Sequence, residues 1–282
     1  MRDLDIREMN RKRMKTGFAD IVSCAASVLV ALLLFRGAAI GVETDHYETY
    51  KAVPLASKDR FTLVPSYFIF GAPCAKFQIG FIYQWSSALP LYLGYGQLVI
   101  WNLKGYQSPM IDINCMPQFY YKFTLDHSIV RSVDLGIWDH NSNLRGGELA
   151  HRGWDRSYIK VNTFTSFWRF GLMANFKFFT MYRLDKYNSE IDHYLGIWEM
   201  NGSLAFYYDF AVFEAIELSF RIFAGGKYSC LLTRGGQEIG LTFKFKGNPA
   251  HIYFQFYQGY CEYLLDYNRR QLSIRYGALF YL

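Results

Sequence analysis

The sequence predicts an all-β protein, a 12-stranded antiparallel transmembrane β-barrel. Composition is the first observation: the chain carries 23 Tyr and 25 Phe, yet its mean hydropathy is only −0.01. Patterning is the second, because beyond the N-terminus apolar and polar residues mostly alternate instead of forming long apolar stretches. Both features are typical of a wall with lipid on one side and water on the other, with aromatic belts at the membrane interfaces.

The N-terminal region differs from the rest of the chain and predicts a signal peptide at 1–39. A basic run, RKRMK, is followed by the apolar stretch IVSCAASVLVALLLF and then by small residues near Ala38 and Ala39. An apolar helix of that length spans only about 22 Å, short of the ~30 Å hydrocarbon core, which disfavours a permanent anchor. Residues 40–58 contain Pro54 and do not alternate, so they are interpreted as an N-terminal arm.

Charge and cysteine content give no sign of a nucleic-acid partner or a zinc site. Removing residues 1–39 takes away seven basic and four acidic residues and leaves a net charge of +3, too little to indicate a nucleic-acid partner. The remaining cysteines are far apart and show no CxxC spacing, so they do not indicate a zinc site. Two interpretations, free thiols and a disulfide, remain for Cys74, Cys115, Cys230 and Cys261.

Residues 59–282 form the predicted barrel domain. Twelve segments of ten or more residues are separated by turn-rich stretches, and about 9–11 residues suffice for a strand to cross a membrane. A closed barrel with an even number of strands leaves no unpaired edge in lipid. The predicted strands are 61–70, 75–85, 90–102, 113–124, 127–141, 155–165, 167–182, 192–207, 212–224, 236–246, 250–263 and 270–282.

The last predicted strand, QLSIRYGALFYL, shows the alternation best. Apolar side chains recur at every second position from Leu272 to Leu282, and Ser273 and Arg275 fall on the other face. A strict period of two is typical of a strand with one apolar face.

A polar stretch at 138–158, WDHNSNLRGGELAHRGWDRSY, carries the candidate chemistry. His140 and Ser142 are two residues apart, so on a strand they share one face with Cα atoms about 6.6 Å apart. An imidazole at that distance can take the proton that makes a serine hydroxyl nucleophilic. Asp155 opens the next strand, and an antiparallel hairpin would bring its carboxylate beside His140. A polar strand end that runs into a surface loop is the alternative interpretation.

The same stretch resembles the outer membrane phospholipase A family of Gram-negative bacteria. The family pattern is roughly H-x-S-N-G-R, a short loop, and then S-R-S-W-N-R-x-Y. The segments VPSYF, GYGQLVIWNLKGYQSP, INCMPQF and YQGYCEYLLDYNRRQ are similar to other parts of the family, in order. Matching positions in the motif are His140, Ser142, Asn143, Arg145, Arg152, Trp154, Arg156 and Tyr158.

The resemblance implies a phospholipase A of the outer membrane that hydrolyses acyl esters of glycerophospholipids and lysophospholipids. Ser142 matches the family nucleophile and His140 its general base. Asp155 stands where the family has an asparagine that orients the histidine. An aspartate keeps the acceptor and adds a charge that would stabilise the imidazolium.

The resemblance also implies calcium as the cofactor, which completes the oxyanion hole in this family. The carbonyl of Arg145 matches one ligand position. His151 stands where the family has a serine and is a poor ligand for a hard cation, so Glu148 is the alternative oxygen donor. A second subunit would lend a ligand near Gln107 or Ser108.

Family members are active as homodimers, so a homodimer is the expected partner. Gln97, within GYGQLVIW, matches a polar contact of the family dimer, although a lone glutamine could equally face the lumen. The family glycine after S-N is Leu144 here, which departs from the pattern.

Strand alternation makes conflicting predictions about which way the site faces. Counting from Ile159 turns Asp155 outward, towards lipid, where the family has its active site. Strict alternation along the preceding strand, with Ile137 facing lipid, instead predicts that His140 faces the lumen. A β-bulge at Trp138 or Asp139 would remove the conflict, because bulges re-aim side chains.

Two rival functions remain open from the sequence. The first is a non-catalytic outer-membrane barrel, a pore or structural barrel with a decayed site, which the departures at Leu144, His151 and Asp155 favour. The second is a soluble secreted β-protein that uses its aromatic residues to bind carbohydrate.

Overall fold

The computed structural model describes residues 60–86, 88–104, 110–125, 129–143, 151–226 and 231–281. The predicted signal peptide and N-terminal arm lie outside these ranges. The elements are β1 (Phe61–Leu63), β2 (Ser66–Ala72), β3 (Ala75–Gln84), β4 (Leu91–Trp101), β5 (Met110–Thr124), β6 (Val130–Asn143), β7 (Gly153–Phe167), β8 (Phe170–Leu184), α1 (Asp192–Leu195), β9 (Trp198–Phe210), β10 (Phe213–Gly225), β11 (Leu231–Phe245), β12 (Ala250–Gly259) and β13 (Gln271–Phe280).

The strands close into a single antiparallel barrel. Each strand from β3 to β13 pairs with its sequence neighbours, and β13 pairs with β2 to complete the ring. β1 and β2 both pair with β3 and form one interrupted wall strand, with Val64 and Pro65 between them. The wall therefore has twelve strand positions, which confirms the predicted 12-stranded transmembrane barrel.

Two predicted strands include residues that form other structure. Strand β9 begins at Trp198, and the preceding residues form the short helix α1, because Ile191 and Leu195 are one helical turn apart and pack into one apolar cluster. Strand β12 ends at Gly259, whose φ of 133° is a backbone conformation that favours glycine. Among the described residues, no helix is long and apolar enough to cross a membrane.

The two faces of the wall differ sharply in polarity. Large apolar side chains point outward, and those of Ile159, Leu272 and Ile274 are at least half exposed. Charged side chains point inward and are buried, as at Asp134 and Arg275. The predicted alternation in the last strand is thereby confirmed.

Ion pairs occupy the lumen. Asp139 Oδ2 accepts hydrogen bonds from Arg156 Nε at 2.8 Å and from Lys177 Nζ at 2.6 Å. Further round the barrel, Arg221 Nη2 donates to Glu199 Oε2 at 2.9 Å. These charges are paired, as buried charges must be.

The segment at 260–270, which follows β12, is fastened to the opposite wall. The backbone N–H of Leu264 donates to Asn114 Oδ1 at 3.3 Å, and that of Leu265 donates to Asp112 Oδ2 at 2.9 Å. Both acceptors are buried on the inner face of β5. This segment covers the lumen at the end of the barrel where β6 ends and β7 begins.

We expect the barrel not to conduct ions, because ion-paired side chains and the 260–270 segment occupy its interior. Purified protein in planar lipid bilayers should show no conductance steps above the lipid background, with a known porin as the positive control. Reproducible single-channel steps would instead favour the pore among the rival functions.

Candidate active site

The hairpin of β6 and β7 assembles the predicted triad residues at one rim of the barrel. His140 pairs directly with Asp155, and Ser142 pairs with Gly153. The His140 Nδ1 atom lies 2.7 Å from Asp155 Oδ1. The hairpin thus brings Asp155 beside His140 in the way the sequence predicts.

The pairing of β6 with β7 contains one extra residue on β6. Gly136 pairs with Tyr158 and Asp139 pairs with Arg156, so three steps on β6 oppose two steps on β7. The pairing of β6 with β5 is shifted at the same place. This is the β-bulge that the conflict in strand alternation predicts.

The bulge turns the site outward. Ile137 and Trp138 are consecutive, yet both are exposed, at 57% and 39%, whereas Asp139 points into the lumen and is buried. The extra residue therefore lies at Ile137 or Trp138, so Trp138 is part of the bulge and Asp139 is not. Beyond it, His140 and Ser142 lie on the outer face.

The imidazole has one nitrogen engaged and one available. Because Nδ1 contacts Asp155, Nε2 is the ring nitrogen left for a further partner. Among the described residues, the Ser142 hydroxyl does not hydrogen-bond the imidazole. Such loose geometry is common in active sites without substrate.

Asp155 has two further neighbours that sequence reasoning missed. The indole Nε1–H of Trp138 donates to Asp155 Oδ1 at 2.9 Å, and Arg183 Nε lies 3.9 Å from Asp155 Oδ2. The Trp138 ring also stacks on His140, with ring centroids 5.6 Å apart at an interplanar angle of 22°. The predicted bulge at Trp138 places this residue next to the site, but no sequence signal gives the direction of its indole N–H.

Gln97 lies on the outer face, in the same row as Ser142. Ser142 pairs with Cys115 on β5, Cys115 pairs with Gln97 on β4, and Gln97 pairs with Ile79 on β3. Directly paired residues share a face, and Ile79 is 39% exposed on the outer surface. Neighbouring strands are about 4.8 Å apart, so Gln97 lies roughly 10 Å from Ser142.

Of the predicted calcium ligands, the structure describes only His151. Arg145, Glu148, Gln107 and Ser108 lie outside the described ranges. Across those ranges, no group of three or more His, Cys, Asp or Glu side chains is arranged to hold a metal ion.

The His151 imidazole is engaged with Asp185, beyond the end of β8. His151 Nδ1 lies 2.9 Å from Asp185 Oδ2. Burial raises the pKa of Asp185, but hydrogen bonds from the Tyr187 backbone N–H and from His151 lower it more, so this pKa lies below its usual range. Calcium prefers oxygen, so an imidazole nitrogen with this partner does not suit the ion as a direct ligand.

Cys74, Cys115 and Cys261 are free thiols, and Cys230 lies outside the described ranges.

Several characterised proteins are similar to this chain. Phospholipase A1 of Escherichia coli (strain K12) is 27% identical over 214 residues, which cover 70% of this chain and 68% of that protein. Phospholipase A1 of Klebsiella pneumoniae is 26% identical over the same length.

Solved structures share the fold. The outer membrane phospholipase dimer of Salmonella typhi with bound calcium has a TM-score of 0.65 at 22% identity and covers 80% of this chain and 95% of its own. Outer membrane phospholipase A from Escherichia coli gives the same TM-score and identity.

The sequence profile of the phospholipase A1 family matches residues 74–280, from the residue before β3 to the last residue of β13. That range covers most of the chain and includes His140, Ser142 and Asp155. The resemblance on which the sequence prediction rests is thereby confirmed: the chain belongs to the phospholipase A1 family.

Proposed function

We propose that this phospholipase of the outer membrane hydrolyses the acyl esters of glycerophospholipids and lysophospholipids, with Ser142 as the nucleophile and His140 as the general base. The observation that carries the proposal is the 2.7 Å contact between His140 and Asp155 on the lipid-facing side of the barrel. A bilayer lipid can present its ester to that surface without entering the lumen.

The steps follow from the positions of the three side chains. His140 Nε2 removes the proton of the Ser142 hydroxyl as its oxygen attacks the ester carbonyl, and the Asp155 carboxylate stabilises the imidazolium that forms. The imidazolium then gives its proton to the departing lysolipid or glycerol oxygen, which leaves an acyl-serine. Water attacks this ester with His140 again as the base; the bond between the acyl carbon and Ser142 Oγ breaks, the imidazolium returns its proton to Oγ, and the fatty acid departs.

We propose calcium as the cofactor. When bound, a hard dication supplies positive charge beside the carbonyl oxygen, where negative charge develops. The carbonyl of Arg145 and the carboxylate of Glu148 offer oxygen donors beside Ser142 in sequence, and Gln107 or Ser108 of a second subunit would complete the set. The support is the calcium named for the Salmonella typhi relative.

We propose that the active form is a homodimer joined through the outer face that carries Gln97. Its amide lies among partly exposed apolar neighbours in the row of Ser142. A polar group in such a surface needs a partner when lipid or protein covers it. A second copy of the same face would supply one, and the dimer of the Salmonella typhi relative supports this arrangement.

The test is fatty-acid release from phospholipid micelles by folded protein, wild type against Ser142→Ala, in calcium and in chelator. We expect release to require both Ser142 and calcium. Ser166→Ala, an exposed serine near the other end of β7, is the matched control and should retain full activity.

Three other outcomes decide against parts of the proposal. Release that persists in Ser142→Ala contradicts the assigned nucleophile. Release that needs Ser142 but survives the chelator keeps the triad and removes calcium. No release from folded, dimeric protein favours the non-catalytic barrel.

A further inference from the structure

We propose that Trp138 is a positioning residue of the active site, which holds the Asp155 carboxylate and the His140 ring in their working arrangement. The proposal rests on the proposed function, because it concerns the same triad. It adds a residue that matches none of the motif positions of the family and that enters the site only through the bulge in β6.

Asp155 needs such a partner because of where it lies. It belongs to the outer face of a membrane-spanning wall, yet only 8% of its surface is exposed, so little water can solvate the charge. A carboxylate in that setting must be paired or hydrogen-bonded. Arg183 is a weak candidate, since its Nε lies 3.9 Å away and its side chain is 81% exposed.

Trp138 provides the closer contact. Its indole N–H donates at 2.9 Å to Oδ1 of Asp155, the same oxygen that lies 2.7 Å from His140 Nδ1. The two donors therefore fix one carboxylate oxygen from two directions. An indole nitrogen only donates, so the Asp155 oxygen is the acceptor in this hydrogen bond.

The same indole also restrains the imidazole. Its ring lies at 22° to that of His140, with 5.6 Å between centroids. This contact limits rotation of the imidazole away from the orientation in which Nδ1 faces Asp155 and Nε2 is left for Ser142. Trp138 thus acts through Asp155 and His140, and it needs no contact with the lipid.

Trp138→Phe tests the indole N–H while keeping an aromatic ring for the stack. We expect kcat to fall about tenfold with KM unchanged, as for the loss of one hydrogen bond to a charged group. In an Asp155→Ala background, the same substitution should change the residual kcat little, because the acceptor is already gone. Trp85→Phe, an exposed tryptophan at the opposite rim, is the matched control and should behave as wild type.

Two kinetic outcomes would overturn the proposal. One is a Trp138→Phe protein with unchanged kcat. The other is an equal fractional loss in the wild-type and Asp155→Ala backgrounds, which would mean that Trp138 acts independently of the carboxylate.

A measurement that needs no turnover separates this proposal from the proposed function. Protein labelled with ¹⁵N at tryptophan in detergent micelles should show an indole N–H resonance that disappears in Trp138→Phe and moves in Asp155→Ala. An unmoved resonance would overturn the proposal even in an active enzyme. A moved resonance supports the contact between Trp138 and Asp155 even if Ser142→Ala shows that the assigned nucleophile is wrong. The same measurement tests the contact where Asp155→Ala turns over too slowly for kinetics.

Discussion

His140→Ala is expected to lower kcat for phospholipid hydrolysis by at least about 10³-fold, because a serine hydroxyl without a base is a poor nucleophile. The effect should fall on kcat and leave KM nearly unchanged, since in the proposed mechanism the imidazole handles the reacting proton and does not contact the acyl chains. Initial rates of fatty-acid release over a range of substrate concentrations measure both constants. His193→Ala is the matched control, because His193 is a partly exposed histidine outside the triad.

The double variant His140→Ala/Ser142→Ala makes this prediction sharper. Residues that act as one unit are strongly non-additive, so the double variant should be no slower than either single variant. A general base typically contributes about 10²-fold or more to the rate. A further loss of that size in the double variant would show that His140 and Ser142 act independently. The variants must still form folded barrels, which the shift in gel mobility between heated and unheated samples reports.

Arg275→Met is expected to lower the free energy of unfolding by about 3–5 kcal/mol, the usual cost of leaving a buried charge without its partner. The side chains of Arg275 and Glu262 are completely buried, and the Arg275 guanidinium donates to the Glu262 carboxylate. Ser273 Oγ also donates to Glu262 at 3.0 Å, and Lys76 Nζ lies 4.0 Å away. Neither contact replaces the guanidinium.

Denaturant unfolding in detergent or liposomes, followed by tryptophan fluorescence, measures this loss. Arg269→Met is the matched control, because Arg269 lies in the same 260–270 segment with a side chain that is 76% exposed, and should change stability little. Adding Glu262→Leu to Arg275→Met should recover most of the lost stability, because replacing a whole buried ion pair with apolar residues is often neutral. A double variant as unstable as Arg275→Met would show that Glu262 is not the source of the loss.

The sequence predicted the barrel well because its signal is repeated along the chain. Alternation of apolar and polar residues recurs along most of the barrel region, so errors at single strand ends do not change the number of strands. The errors lie at strand ends where tertiary packing determines the secondary structure. The helix α1 forms where Ile191 and Leu195 join one apolar cluster with Phe223 and Tyr257, a contact that no local pattern reveals.

The candidate site was predictable in part. A spacing of two residues and an adjoining strand suffice to bring His140, Ser142 and Asp155 together, and the conflict in alternation predicts the bulge. The role of Trp138 was not predictable, because it depends on which residue the bulge absorbs and on the direction of an indole N–H. Arg183 was equally hidden, since the pairing of β7 with β8 is itself shifted between Asp155 and Arg156.

The bulge in β6 reverses the inward and outward alternation of side chains between the two halves of the strand. Even-numbered residues face the lumen before it, as at Asp134, and face lipid after it, as at His140. A designer who moved the His-x-Ser segment onto a regular strand of another barrel, in phase with the first half of β6, would turn His140 and Ser142 into the lumen. The transplantable unit is therefore the segment together with its extra residue.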